Sequence, residues 1–374
     1  MKQGKNFFPL GLALGNAFCN RVKEKKRLTE NISKLAPTLI SSPRRYGKTS
    51  LVLETLQSTN TDYVLIDFFT ATSVADISSI ILNGIGRAIA LIQPNFTKAL
   101  KLAMEFFSKI EVKISTQETG FVISLNQGIP NPVDEIDKAL INLEKLLIKY
   151  NKNIILFFDE FQIVGQVTPN ISIEAILRSH AQIPSNIGYI FSGSNRHLLD
   201  QIFNDRKRPF YQLCDRILLN KIETSDYMKF INNAAIMKWQ SKLGVQIFNK
   251  IFELTNCHPF YMNALCFKLW QTETTPNVDD VIQCWSLLAE EHRPQIGSEI
   301  DLLSLNQRKL LGCLARLDNL YSIHSKEFLQ STGMASSSLH QSLQVMLKKD
   351  FIEKINDETY QIIDPMLEFL LKVQ

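Results

Sequence analysis

None of the six cysteines (Cys19, Cys214, Cys257, Cys266, Cys284, Cys313) lies in a CxxC pair or at metal-ligand spacing, and the six histidines form no HExxH pattern. A zinc site and a disulfide framework are therefore not expected, which fits a reducing compartment. No apolar run approaches the roughly 18–20 residues of a membrane span. Near the start, Lys2 and Lys5 precede a short apolar stretch, Phe7 to Leu14, with Cys19 beyond it. Pro9 and Gly11 break that stretch, and bulky Phe18 stands where a lipoprotein leader needs a small residue. The expectation is a cytoplasmic protein with no membrane partner. Internal repeats and low-complexity linkers are also lacking. Formal net charge is only +4, but it is unevenly spread: residues 1–48 hold eleven Lys/Arg against two Glu, whereas residues 300–374 hold eight against nine Asp/Glu. With 374 residues and 45% hydrophobic content, the chain is an ordinary globular protein too long for a single core.

What is present begins with Ser42-Pro-Arg-Arg-Tyr-Gly-Lys-Thr49, set between the apolar run Thr38–Ser41 and the apolar helical pattern from Ser50 to Leu56. Strand, tight turn and helix N-terminus is the context of a phosphate-binding loop, where free backbone amides and the positive end of the helix dipole meet an anion. The loop residues Ser42, Pro43, Arg44, Arg45, Tyr46, Gly47, Lys48, Thr49 and Ser50 are the candidate nucleotide cradle. Lys48 would reach the β- and γ-phosphates and the Thr49 hydroxyl would ligate Mg²⁺. Ser42 stands where the first glycine of Gly-x-x-x-x-Gly-Lys-[Ser/Thr] belongs. A helix N-terminus with a lysine nearby is the plainer alternative.

A second element lies 111 residues beyond Lys48. The continuous apolar run Asn153–Phe158 suits a strand buried on both faces and ends in Asp159-Glu-Phe-Gln162. Ligands of open α/β sheets bind at the carboxyl edge of the strands. Asp159 there would hold Mg²⁺ through its water shell, and Glu160 would orient or deprotonate the attacking water. An acidic turn after a buried strand is the ordinary alternative.

Residues 1–222 alternate strand and helix patterns and predict an α/β core with a parallel sheet. Strands are expected at Thr38–Ser41, Tyr63–Phe68, Ile154–Phe158, Gly188–Ser192 and Arg216–Leu219, with an inserted β-hairpin over about 110–127. Helices are expected around Val22–Lys34, Lys48–Gln57, Val74–Leu91, Pro132–Tyr150 and Ile171–Ala181. Residues 223–297 read as a helical lid with a boundary at Gly297. Residues 298–374 read as helix, helix, helix and hairpin, the winged-helix order, with the wing at Asn356–Glu358.

In this order the motifs resemble the archaeal-type ATPases, in the STAND branch of the AAA+ P-loop NTPases, related in architecture to the origin-recognition ATPases. The family's loop usually reads GPRRxGKT, against SPRRYGKT here, and its acidic motif resembles Phe158–Gln162. Its N-terminal box resembles Phe18-Cys-Asn-Arg-Val-Lys-Glu24, which implies that Arg21 helps to build the adenine pocket. Ser192-Gly-Ser-Asn-Arg196 looks like the family's sensor segment, implying that Ser194 or Asn195 contacts the γ-phosphate or the lytic water, with Arg196 a rival. Asn256-Cys-His-Pro259 resembles the lid's Gly-x-Pro motif, implying that Pro259, with His258, packs near the base. A plain helix-initiating pair explains His258-Pro259 equally well. Arg206 and Arg208 stand where relatives place a trans-acting arginine, although a solvated charge run would look the same. Arg44 and Arg45 would contact phosphate or pair with carboxylates.

The working expectation is a Mg²⁺-dependent ATPase that binds ATP and ADP and acts as a nucleotide-controlled switch through lid and winged helix, with a protein partner or a second copy of itself. Two alternatives stay open. One is a DNA-binding winged-helix regulator, weakened by the lack of net positive charge in residues 300–374. The other is a nucleotide-binding scaffold with little or no turnover, which Ser42 and the irregular lid motif suggest.

Overall fold

The computed structural model describes residues 6–107, 112–117, 120–125, 132–167, 172–316, 323, 325–356 and 358–373. They divide into two compact units, one of residues 22–42 and 51–219, the other of 1–21, 43–50 and 220–374.

The first unit is built on a five-stranded sheet. Its elements run α1 (Val22–Ser33), β1 (Thr38–Ser41), α2 (Lys48–Ser58, in this unit from Leu51 onward), β2 (Tyr63–Asp67), α3 (Val74–Ile92), α4 (Phe96–Phe106), β3 (Val112–Gln117), β4 (Gly120–Leu125), α5 (Pro132–Tyr150), β5 (Ile154–Asp159), α6 (Gln162–Val167), α7 (Ser172–Gln182), β6 (Ile187–Gly193), α8 (Arg196–Phe203) and β7 (Asp215–Leu218). The strand order is β2-β5-β6-β1-β7 and every pairing in it is parallel. Helices connect these strands, as parallel pairing requires, because a short hairpin cannot join strands running the same way. β5 and β6 are buried along their whole length, which accounts for their largely apolar sequences up to Phe158 and Phe191. Phe158, Phe161, Phe191, Phe203 and Phe210 form one ring cluster, with Phe158 stacked on Phe191 and the other contacts edge-on or tilted. Each such fully buried ring contributes about 1.5–3 kcal/mol from area alone. At the outer edge, Asp215 on β7 accepts from Arg27 Nε at 2.8 Å and Asn31 Nδ2 at 2.7 Å, which ties α1 to the sheet.

α3 differs from expectation. With 19 residues and a mean hydropathy of 1.5 over its best window, it is long and apolar enough to cross a membrane. A capping box of Ser73 and Asp76 starts it, and Ile77, Ile81, Ile85 and Ile89 are buried within the unit, where α3 packs on β2 and α5. The inserted hairpin forms as the antiparallel pair β3–β4, with Val112 opposite Leu125. The ends of the predicted insertion, 110–111 and 126–127, lie outside the described residues.

The second unit is largely helical: α9 (Thr224–Trp239), α10 (Val245–Thr255), α11 (Pro259–Leu269), α12 (Val278–Asp301), α13 (Leu305–Arg316), α14 (Lys326–Thr332), α15 (Ser336–Lys348), β8 (Ile352–Lys354), β9 (Tyr360–Ile362) and α16 (Pro365–Val373). α12 runs through both Pro294 and Gly297, so the boundary expected at Gly297 falls inside a helix rather than in a loop. Apolar spacing explains the continuity: Leu288, Ala289 and Ile296 feed the same core, which Leu303 joins just beyond the helix. Gly333, in the left-handed conformation, ends α14 as expected. Asn356 Oδ1 accepts from the amides of Glu358 and Thr359, both at 3.0 Å, and so closes the β8–β9 hairpin. Asp357, within the expected wing, lies outside the described residues.

Candidate nucleotide site

β1 delivers the chain to the loop. Ser42 is completely buried and its backbone is not left-handed, so the position makes no conformational demand for glycine. The turn falls instead on Arg45 (φ +64°) and Gly47 (φ +86°). Such left-handed residues aim neighbouring amides into one concavity, the geometry that binds anions. Lys48 opens α2, is 6% exposed and donates from Nζ to the Pro43 carbonyl at 3.4 Å. Thr49 follows it in the first turn, and the Ser50 hydroxyl accepts from the Ala13 amide at 3.1 Å.

Other expected nucleotide-binding residues gather on this loop within the second unit. Arg21 is buried and donates to the Tyr46 carbonyl at 3.2 Å and to the Asn220 carbonyl at 2.6 Å. The Arg45 guanidinium lies 4.4 Å from the centre of the Phe260 ring, a cation–π contact. It leaves the task expected of Arg44 and Arg45, a phosphate or carboxylate partner, to other conditions. Tyr46 is buried edge-on against His258 at 4.9 Å, and His258 packs on Tyr261 at 5.1 Å. Pro259 occupies the first position of α11. Just before it, Asn256 (φ +46°) and Cys257 (φ +53°) take the left-handed backbone in the region where the sequence pattern wants glycine.

His258 has a physical consequence. Its Nδ1 is buried with no hydrogen-bond partner among the described residues, and burial, aided by the Lys221 and Arg45 charges, pushes its pKa down to about 3. The folded protein holds it neutral, while the unfolded chain protonates it near 6.5. Its contribution to stability is therefore intact above pH 6.5 and is lost as pH falls toward 3. Between pH 7 and 5.5 the loss is about 1.3 kcal/mol, roughly 3–5 °C in melting temperature. Thermal melts of wild type and His258→Leu across that interval test this: the variant should lose the dependence attributable to His258. Equal slopes would refute it.

The acidic pair lies on the sheet. β1, β6 and β5 are successive neighbours, so Ser42, Gly193 and Asp159 leave the same carboxyl edge. Asp159 is 6% exposed; its Oδ1 accepts from the Ser192 hydroxyl and, at 3.0 Å, from the Glu160 amide. Glu160 has a left-handed backbone (φ +53°), and its Oε2 accepts from Ser194 Oγ at 2.8 Å and from Gln162 Nε2. Asn195 caps α8, with Oδ1 accepting from the Leu198 amide at 3.0 Å, and Arg196 is the first residue of that helix. The expected sensor pair thus divides: Ser194 turns to Glu160 and Asn195 to the helix end.

Sequence reasoning missed Asp67. It pairs in register with Asp159 across β2 and β5, and its pKa is raised by burial and by the Asp159 and Glu160 charges, against the Phe69 amide that lowers it. The signal was available, because β2 also ends in a carboxylate at the carboxyl edge.

No curated protein matches the sequence. The family described as "Probable winged helix domain" matches residues 298–373. Among solved structures, a Walker-type ATPase of Pyrococcus abyssi superposes with a TM-score of 0.71 at 17% identity, covering 98% of this chain and 99% of that one. The Aeropyrum pernix ORC2 protein, in its ADPNP–ADP complexes, gives 0.63 at 15% identity, with 99% and 96% covered. The chain shares the fold of these two structures, with a winged-helix domain at residues 298–373.

Within this fold one expectation fails. Arg208 is not presented outward as a trans-acting arginine; it pairs with Glu174 on α7, which is completely buried. Burial pushes Glu174 up to about 7 even though Arg208 opposes the shift. A charge drawn into the interior needs such a partner, and the 34 residues between them hid the pairing from a sequence reading. Arg206 remains exposed.

Proposed function

We propose that the chain is a Mg²⁺-dependent ATPase of the AAA+/STAND type, a switch set by ATP and ADP. The observation that carries this reading is the convergence of Asp159, Glu160 and Ser194 on the sheet edge from which β1 leads into the phosphate loop. In this reading the loop amides and Lys48 bind the phosphates, Arg21 and Pro259 help to form the base pocket, and Glu160 orients or deprotonates water. The donor set fits the metal: the Thr49 hydroxyl and the Asp159 carboxylate are the hard oxygen ligands Mg²⁺ prefers. When bound, Mg²⁺ neutralises charge developing on the phosphates. Catalysis is then positioning and electrostatic stabilisation. A cytoplasmic location and a protein partner or self-assembly belong to the same proposal, with Arg206 the remaining candidate for an arginine acting in a neighbouring subunit.

A second reading, DNA binding, has one observation in its favour. Ser336, Ser337, His340, Gln341, Gln344 and Lys348 form an exposed polar face along α15. Native mass spectrometry of the full chain with MgATP, with ATP plus EDTA and with duplex DNA separates the readings, alongside phosphate release. We expect one Mg-nucleotide per chain, lost with EDTA, and slow phosphate release. An absence of nucleotide under all conditions would sink the ATPase reading, and a DNA adduct without nucleotide would install the second.

A further inference from the structure

The side chain of Gln162 is poorly explained by packing alone. It is 6% exposed, opens α6, and donates through Nε2 to Glu160 Oε2, while its own Oε1 is buried with no partner among the described residues. Burying an unpaired carbonyl is unfavourable, and the chemistry allows only one amide orientation, since Oε1 turned toward a carboxylate would repel it. The surroundings are shaped to keep it there. Gly193 ends β6 directly against this amide, and a Cβ at that position would sit 2.0 Å from Gln162 Oε1. Gln162 also lines a partly open pocket of about 210 Å³, together with Gly165, Ile202 and Arg208 among others.

Ser194 Oγ donates to the same oxygen, Oε2, at 2.8 Å. Two donors thus converge on one oxygen of Glu160, and among the described residues no protein donor meets Oε1. We infer that Gln162 is a positioning residue: with Ser194 it clamps Oε2, fixing the carboxylate so that Oε1 alone faces the water to be activated. This rests on the reading of Glu160 as the residue that activates water. The left-handed backbone at Glu160 turns the carboxylate back toward its own helix start, within reach of Gln162 two residues on. Positioning of this kind acts on the chemical step and leaves nucleotide affinity alone.

The test uses full-length Gln162→Met, which keeps length and removes the donor, together with Ser194→Ala and Ser194→Thr. Each is made alone, and Gln162→Met and Ser194→Ala are also combined with Glu160→Gln. ATP turnover, nucleotide Kd and melting temperature are measured for all. We expect Gln162→Met and Ser194→Ala each to lower kcat about 10-fold, with Kd within twofold and melting unchanged. Ser194→Thr, which restores a hydroxyl, should recover most of the loss. In the Glu160→Gln background neither change should lower turnover further. The clamp is overturned if both single variants keep wild-type kcat, if Kd and melting fall in step with kcat, or if the loss persists undiminished in the Glu160→Gln background. A different result, Glu160→Gln turning over as wild type, would instead remove Glu160 as the base and the clamp's purpose with it.

Discussion

Glu160→Gln is expected to bind ATP with near wild-type affinity and to hydrolyse it 10²–10⁴ times more slowly, the range a positioned general base contributes. The substitution is nearly isosteric, and its effect is confined to chemistry by the local geometry. The replacement amide keeps an acceptor oxygen for the Ser194 hydroxyl and the Gln162 amide, so the turn at the end of β5 should survive. It removes the negative charge and the basic lone pairs that draw a proton from water. Asp159 is left in place with its Ser192 and backbone donors, so the carboxylate proposed for the metal is unaltered. A filter-binding or fluorescent-nucleotide titration paired with single-turnover phosphate release measures both halves. Turnover within twofold of wild type would show that Glu160 is not the base. A parallel collapse of affinity would show that the substitution had disrupted the site rather than the chemistry.

Much of this edge was legible because its elements obey strong local rules. β1 matches its sequence reading residue for residue, and β5 extends it only by Asp159, since an unbroken apolar run bounded by turn residues leaves few alternatives. The loop was legible for the same reason: strand, Gly47-Lys48-Thr49 and helix follow in an order with a stated chemistry. What escaped was of two kinds. Short helices were missed, among them α6, six residues long, and α8, whose Asn195 cap was read only as a sensor. In such helices tertiary packing decides the outcome more than propensity. Contacts distant in sequence were also missed. Nothing near Arg208 announces Glu174, and nothing near Gln162 announces Gly193, because each partner is chosen by the stacking of strands and helices. At Gly297 continuing apolar spacing carries α12 through the residue read as a domain boundary. The lid motif shows the converse, since Asn256 and Cys257 keep a left-handed backbone without glycine.

Lys48→Ala should act at the opposite stage, on binding. Removing one partner of a desolvated, hydrogen-bonded charge pair costs about 2–5 kcal/mol, which is roughly a 30- to 5,000-fold rise in Kd for MgATP. The loop itself should persist, because its turn is set by the backbone at Arg45 and Gly47, and its anchors are Arg21 to the Tyr46 carbonyl and Tyr46 against His258. The lysine donates to the Pro43 carbonyl at 3.4 Å, a contact that a bound phosphate would displace. Binding and folding are separable by thermal shift. A ligand at a hundred times its Kd stabilises the native state by about 2.7 kcal/mol, and the variant at the same ATP concentration should gain almost none of it. Its melting temperature without nucleotide should stay near wild type. If the variant kept the full ATP-dependent shift, the phosphates would lie elsewhere and the loop would be a helix start with a lysine beside it. If it melted lower without nucleotide, Lys48 would be holding the loop together rather than waiting for an anion.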